Sequence, residues 1–149
     1  MKLAISHTFA AAPAQVFAAI TDPAVLQRCI DGCEKMEKTA EDSYTVHLKV
    51  GVAGMKGAYG GKVQITEKRP PESMTLALEG KGPPGFVRAT AQLKLVAAGD
   101  RTELSGEADA TVGGLIAAVG SRLIEAAAKK MAADFFARLG AEITGSRAS

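Results

Sequence analysis

The stretch from Leu104 to Ala127, LSGEADATVGGLIAAVGSRLIEAA, changes its periodicity midway, and that change decides the fold. Leu104, Gly106, Ala108 and Ala110 alternate with Glu103, Ser105, Glu107 and Asp109, the period of a half-buried strand. From Gly113 onward Ile116, Gly120, Leu123, Ala127 and Met131 recur at helical spacing, with Arg122, Glu125 and Lys129 opposite. The pattern holds to about Ile143 and predicts roughly 40 Å of helix at 1.5 Å per residue. An amphipathic helix of that length needs a sheet face on which to bury its stripe.

The preceding residues supply one. Tyr44, Val46, Leu48 and Val50 alternate with Thr45, His47 and Lys49, and Tyr59, Gly61, Val63 and Ile65 follow a Gly-rich turn from Gly51 to Gly57. Arg69-Pro70-Pro71-Glu72 is a turn, because proline donates nothing to a ladder. Met74, Leu76 and Leu78 come next, then Gly80-Lys81-Gly82-Pro83-Pro84-Gly85, then Val87, Ala89, Ala91, Leu93 and Leu95 in alternation with Arg88, Thr90, Gln92 and Lys94. Ala98-Gly99-Asp100 turns the chain into the opening stretch. Strands joined this tightly predict an antiparallel meander with one wet face.

At the N-terminus Leu3, Ile5, His7 and Phe9 alternate as a first strand. Pro13 opens a short helix through Val16, Phe17 and Ile20, and Thr21-Asp22-Pro23 ends it and caps a second with Val25, Leu26 and Cys29, which Asp31-Gly32 closes. The fold class is α+β: a curved antiparallel sheet of about seven strands wrapped around a long C-terminal helix. Residues 1–145 form one domain and 146–149 a short tail.

Bulk properties narrow the function. A net charge of +2 without a Lys/Arg block argues against nucleic acid. No uninterrupted apolar run is long enough to span a membrane, and the alternating N-terminus does not resemble a signal peptide. The two cysteines, Cys29 and Cys33, are expected to be reduced thiols in a cytoplasmic protein.

Aromatics make up only 5% of the chain, Trp is absent, and sixteen residues are Gly. The inward positions of the late strands include Gly61, Ala89, Ala91, Gly106, Ala108 and Ala110, and the helix stripe offers Gly120 and Ala127. Small residues on both surfaces permit either close packing or a gap. A gap of ~300 Å³ left empty would cost ~7 kcal/mol, so it would be narrow, wet at its mouth or filled by an apolar guest. The expected lining is Leu26, Ile30, Val50, Tyr59, Val63, Leu76, Leu78, Phe86, Ala89, Ile116, Val119, Leu123 and Ala127, with Tyr59 able to orient a carbonyl.

Candidate chemistry is sparse. His47 lies on a polar strand face, and His7, between Ile5 and Phe9, reads as a hydrogen-bonded core histidine. Cys29 and Cys33 lack partners for a metal shell, so no metal is expected. Asp134 and Arg138 stand four apart and suggest an intrahelical ion pair. Phe136, Leu139 and Ile143 leave the main stripe, for packing on the N-terminal helices or for a homodimer contact. Val52, Met55 and Lys56 in one loop, with Lys81, Pro83 and Pro84 in another, form apolar tips flanked by lysines that could touch an anionic bilayer. An enzyme on this scaffold would need His7, Tyr59 and Asp134 to converge. A pure interaction subunit would fill its interior with its own side chains.

Several segments together resemble the carbon monoxide dehydrogenase CoxG subunit family, a branch of the START-like, helix-grip (SRPBCC) superfamily. They are Ala12-Pro13-Ala14-Gln15-Val16-Phe17, Thr21-Asp22-Pro23, Cys29-Ile30-Asp31-Gly32-Cys33-Glu34, Gly80 to Phe86, Val112 to Leu115, and Gly120 to Ile124 through Phe135 to Leu139. Asp31 stands where the family usually has Pro. The resemblance covers residues 1 to 145 and implies one strand, two short helices, six strands and a long helix. It further implies a non-catalytic accessory protein with no intrinsic cofactor. Its ligand would be an isoprenoid quinone (menaquinone or ubiquinone type) or a lipid, and its partner a molybdenum hydroxylase such as carbon monoxide dehydrogenase, coupled to the inner face of the cytoplasmic membrane. Some relatives continue into a membrane-binding tail, whereas this sequence stops at Gly145-Ser146-Arg147-Ala148-Ser149.

Overall fold

The computed structural model describes residues 1–51 and 56–145, so the expected short tail, 146–149, lies outside the described residues. The chain runs β1 (Lys2–Phe9), α1 (Pro13–Ile20), α2 (Pro23–Cys29), β2 (Cys33–Ala40), β3 (Ser43–Val50), β4 (Gly57–Arg69), β5 (Ser73–Gly82), β6 (Gly85–Ala98) and β7 (Arg101–Gly113). A 3₁₀ segment (Gly114–Val119) and α3 (Ser121–Thr144) complete it. The seven strands make one antiparallel sheet in the order β1-β7-β6-β5-β4-β3-β2. The meander is therefore closed at one side by the first strand, and the helices cover its concave face.

The short helices start where the sequence places their caps. The Gln15 carboxamide oxygen accepts the Ala12 N–H at 3.1 Å, and the Asp22 carboxylate accepts the Ala24 N–H at 3.0 Å. Gly32, at φ 75°, turns α2 into β2; a Cβ there would collide with the Lys49 carbonyl. Thr102, fully buried, donates to the Ala11 carbonyl at 2.7 Å and ties β7 to the start of α1.

Two elements differ from the sequence reading. β2 has no recognisable alternation, because Glu34, Lys35, Glu37 and Lys38 crowd an edge strand whose far side faces solvent. The C-terminal helix begins at Ser121 rather than near Gly113, since β7 extends to Gly113 and Gly120, at φ 104°, breaks the chain before α3. With 24 residues, α3 is about 36 Å long.

That break also shifts the helix's phase. The buried residues of α3 are Ile124, Ala127, Phe136 and Leu139, not a stripe through Gly120 and Leu123. Phe136 and Leu139 join Phe9, Val16, Phe17 and Ile20 in one large cluster, with Ile143 packed against it. The apolar patch they form thus packs on the N-terminal helices. His7 sits in the same region, its ring 4.7 Å from Phe9 and 6.0 Å from Phe136 between centroids.

Candidate functional site

Antiparallel register sets the concave face row by row, because directly opposed residues point to the same side. Ile65, Leu76, Ala91, Ala108 and Leu3 form one row across β4, β5, β6, β7 and β1, and all five are buried. The next row is Tyr44, Val63, Leu78, Ala89 and Ala110. Beyond it lies Val46, Gly61, Gly80, Val87 and Val112. The third row is the smallest, with two glycines, and only the first row is buried throughout. Leu78 faces inward between Val63 and Ala89 yet remains 38% exposed. Part of a leucine in an inward row is thus left accessible.

The glycines here do two different things. A Cβ on Gly61 or Gly106 would strike a carbonyl of the neighbouring strand, so these residues permit close backbone approach within the sheet. This corrects their reading as room left between sheet and helix. Gly80 is the exception: among the described residues, a Cβ there would meet only the Tyr59 ring, 4.0 Å away.

The buried side chains form two separate clusters. The large one spans α1, α2, the C-terminal half of α3 and the sheet from Leu3 to Leu104. The small one unites Tyr59, Ile116, Ile124 and Ala127, flanked by Leu48, Val50, Val87 and Val112. Leu26, Val46, Val63 and Ala110 are buried but belong to neither. Of the predicted lining, Tyr59, Ile116, Ala127 and Val50 therefore meet in one place, and Val63, Leu78 and Ala89 lie in the row beside it. Burial raises the Tyr59 pKa, which keeps its phenol neutral.

The other predicted lining residues distribute differently. Leu76 belongs to the large cluster, and Leu26 is buried on α2. Ile30 and Val119 are half-buried. Phe86 is on the convex face: it shares the parity of Arg88, whose guanidinium lies 5.3 Å from its ring centroid, and its ring occupies the space that Gly113 leaves. Leu123 is 61% exposed, because α3 turns the adjacent Ile124 inward instead. Sequence reasoning missed Ile124 for the same reason; only the position of the helix start could have revealed it.

Two open clefts mark the exterior. One, of about 730 Å³, lies between α2, the start of β2, Lys49 and Arg138. Its charges are mutually satisfied: Arg28 donates to Glu142 at 2.7 and 2.9 Å, Arg138 approaches Asp31 at 3.5 Å, and Lys49 approaches Glu34 at 3.5 Å. The other, of about 830 Å³, lies along β1, β5, β6 and β7, where Leu3, Leu78, Ala89 and Ala108 line it together with charged residues such as Lys2, Glu79, Arg88 and Glu107.

His7, Tyr59 and Asp134 do not come together. His7 packs on Phe9 and Phe136, Tyr59 lies in the small cluster, and Asp134 accepts from Lys130 at 2.7 Å. That hydrogen bond holds the Asp134 carboxyl below its usual pKa, and the intrahelical partner is Lys130 rather than Arg138. His47 is exposed, and Cys29 and Cys33 are free thiols whose pKa values burial raises. Among the described residues no three His, Cys, Asp or Glu side chains gather as a metal site would require, and no helix is long and apolar enough to cross a membrane.

The predicted membrane tips are brought to one end. Ile116 N–H donates to the Pro84 carbonyl at 2.9 Å, and Gly57 lies against the Pro84 ring. Lys56, Lys81 and Pro83 are exposed there and Pro84 half-buried, whereas Val52 and Met55 lie outside the described residues.

A seven-stranded antiparallel sheet gripping a C-terminal helix defines a START-like fold. The fold matches a START superfamily protein from Mycobacterium smegmatis at TM-score 0.74 and 11% identity, covering 97% of each chain. It matches Ara h 8.0201 at TM-score 0.73 and 12% identity, covering 97% of this chain and 98% of that one. A conserved protein from Geobacillus kaustophilus is far more similar, with TM-score 0.94 and 33% identity over 98% of this chain and 97% of that one. No curated protein matches the sequence significantly. The model of the carbon monoxide dehydrogenase CoxG subunit family matches residues 6–144, and the chain belongs to that family.

Proposed function

We propose that this protein carries an apolar ligand of the isoprenoid quinone or lipid class against its concave face, as an accessory to carbon monoxide dehydrogenase or a related molybdenum hydroxylase. Family and fold support a non-catalytic accessory role in that context. The ligand rests on one observation: Leu78 points into the grip and is 38% exposed, next to the open space over Gly80. Unfilled apolar surface of this kind gains most from an apolar guest. The surrounding side chains are Val50, Tyr59, Val63, Ala89, Ile116 and Ala127; of these Tyr59 carries a hydroxyl, the group suited to orient a quinone ring. The protein draws the ligand from the inner face of the cytoplasmic membrane, touching it with the Lys56–Lys81–Pro83–Pro84 end, and presents the ring to the docked enzyme for reduction.

The test is extraction and mass analysis of what co-purifies, repeated on Gly80→Leu. The added side chain would enter the space beside Tyr59 and Leu78, and retained quinone or lipid should fall at least about tenfold, the factor that corresponds to roughly 1.4 kcal/mol. Equal ligand in both proteins, or none in either, would refute the reading.

A further inference from the structure

We infer that Leu115 and Leu123 are the side chains that enter the bilayer, and that the 3₁₀ segment and first turn of α3, rather than the hairpin tips alone, form the membrane-contacting edge. This rests on the peripheral membrane contact proposed above and names its inserting residues. Leu115 is 74% and Leu123 61% exposed, the two most exposed large hydrophobic side chains among the described residues. Each immediately precedes a residue of the small cluster: Ile116 is fully buried and Ile124 nearly so. At both places neighbouring apolar residues thus point to opposite sides, an isoleucine to the interior and a leucine to the outside.

The surroundings of these leucines specify the occupant. The 3₁₀ segment is held to the β5–β6 turn by the Ile116–Pro84 hydrogen bond and by the contact of Gly114 with Gly85. Gly57 abuts Pro84 from the other side, which brings Lys56 to the same end. Over 56–58, 81–86 and 113–123 the charged residues are Lys56, Lys81 and Arg122, all exposed and all cationic. Exposed leucines on segments that carry Lys56, Lys81 and Arg122 complement an anionic lipid surface, where headgroups meet the charges and acyl chains the leucines. A protein partner with an apolar acidic face would share part of that chemistry, and the experiment separates the two.

The experiment compares wild type, Leu115→Ser/Leu123→Ser and Lys56→Gln/Lys81→Gln/Arg122→Gln. Each is sedimented with vesicles of mixed phosphatidylcholine and phosphatidylglycerol, and with phosphatidylcholine alone. Wild type should bind the mixed vesicles. The leucine variant should bind them about tenfold or more weaker, as expected when two partly buried apolar side chains are lost. The glutamine variant should lose its preference for the anionic lipid. Binding of 2-methyl-1,4-naphthoquinone in vesicle-free buffer should be unchanged in the leucine variant, since neither leucine faces the interior. Wild type that ignores both vesicles, or a leucine variant that binds them as well as wild type, overturns the inference. Quinone uptake without vesicle binding would leave the carrier reading standing and overturn the membrane edge, whereas vesicle binding without quinone uptake would overturn the quinone as ligand and leave the membrane edge standing.

Discussion

The two ends of α3 are built on different terms. Around its C-terminal half, Phe136 and Leu139 pack with Phe9, Phe17, Ile20 and Leu104 in a cluster that draws on both N-terminal helices and the sheet. Around its N-terminal half, Ile124 and Ala127 cluster, among the described residues, with Tyr59 and Ile116 as buried partners, and the adjoining row of the sheet is small and partly open. A domain of this size needs one dense core for stability. With the dense end providing it, the sparse end is free to leave apolar surface for a guest.

The largest effect should come from breaking the dense end. Leu139→Ala removes a fully buried side chain from close-packed neighbours and should cost about 2–5 kcal/mol in urea unfolding. Ile124→Ala in the small cluster should fall at the bottom of that range, about 2 kcal/mol, because fewer partners lose contact there. If the two substitutions cost the same, the contrast between the ends is wrong.

Acid titration sharpens the same contrast. Burial holds the His7 pKa below its ordinary 6.5 in the folded state. As pH falls below 6.5 the unfolded chain takes up the proton first, so the stability contributed by neutral His7 is complete above that value and is lost on further acidification. His7→Phe should remove this part of the slope, measured as the urea midpoint against pH. The ring should tolerate the exchange because it already packs between Phe9 and Phe136. An unchanged slope would show that His7 is hydrated when the protein is folded.

Much of the fold is legible in the sequence. Period-two alternation finds every strand with a buried face, and the Pro and Asp caps mark α1 and α2. β2 escapes because an edge strand of alternating charges carries no apolar signal. The candidate site is legible only in part. Strand parity correctly turns Tyr59, Val63 and Leu78 inward, and it turns Phe86 outward once β6 is known to start at Gly85. Helix parity depends on knowing where the helix begins, and Gly120 hides that: a glycine fits a helical stripe as well as it fits the φ of 104° it adopts. The division of the interior into two clusters is a property of three-dimensional contact with no one-dimensional trace.

The smallest expected effect tests that phase directly. Leu123 and Ile124 are adjacent and similar in size, so composition cannot distinguish them, and only rotation about the helix axis decides which is buried. With α3 starting at Ser121, Leu123→Ser should change stability by no more than about 0.5 kcal/mol, as for an exposed site. Ile124→Ser should exceed even Ile124→Ala, because it also buries a hydroxyl among apolar groups. Urea midpoints of the two serine variants would settle the matter. A large loss at position 123 with none at 124 would rotate α3 back to the stripe of Ile116, Gly120 and Leu123. That rotation would return Leu123 to the wall of the proposed ligand site and remove it from the proposed bilayer edge.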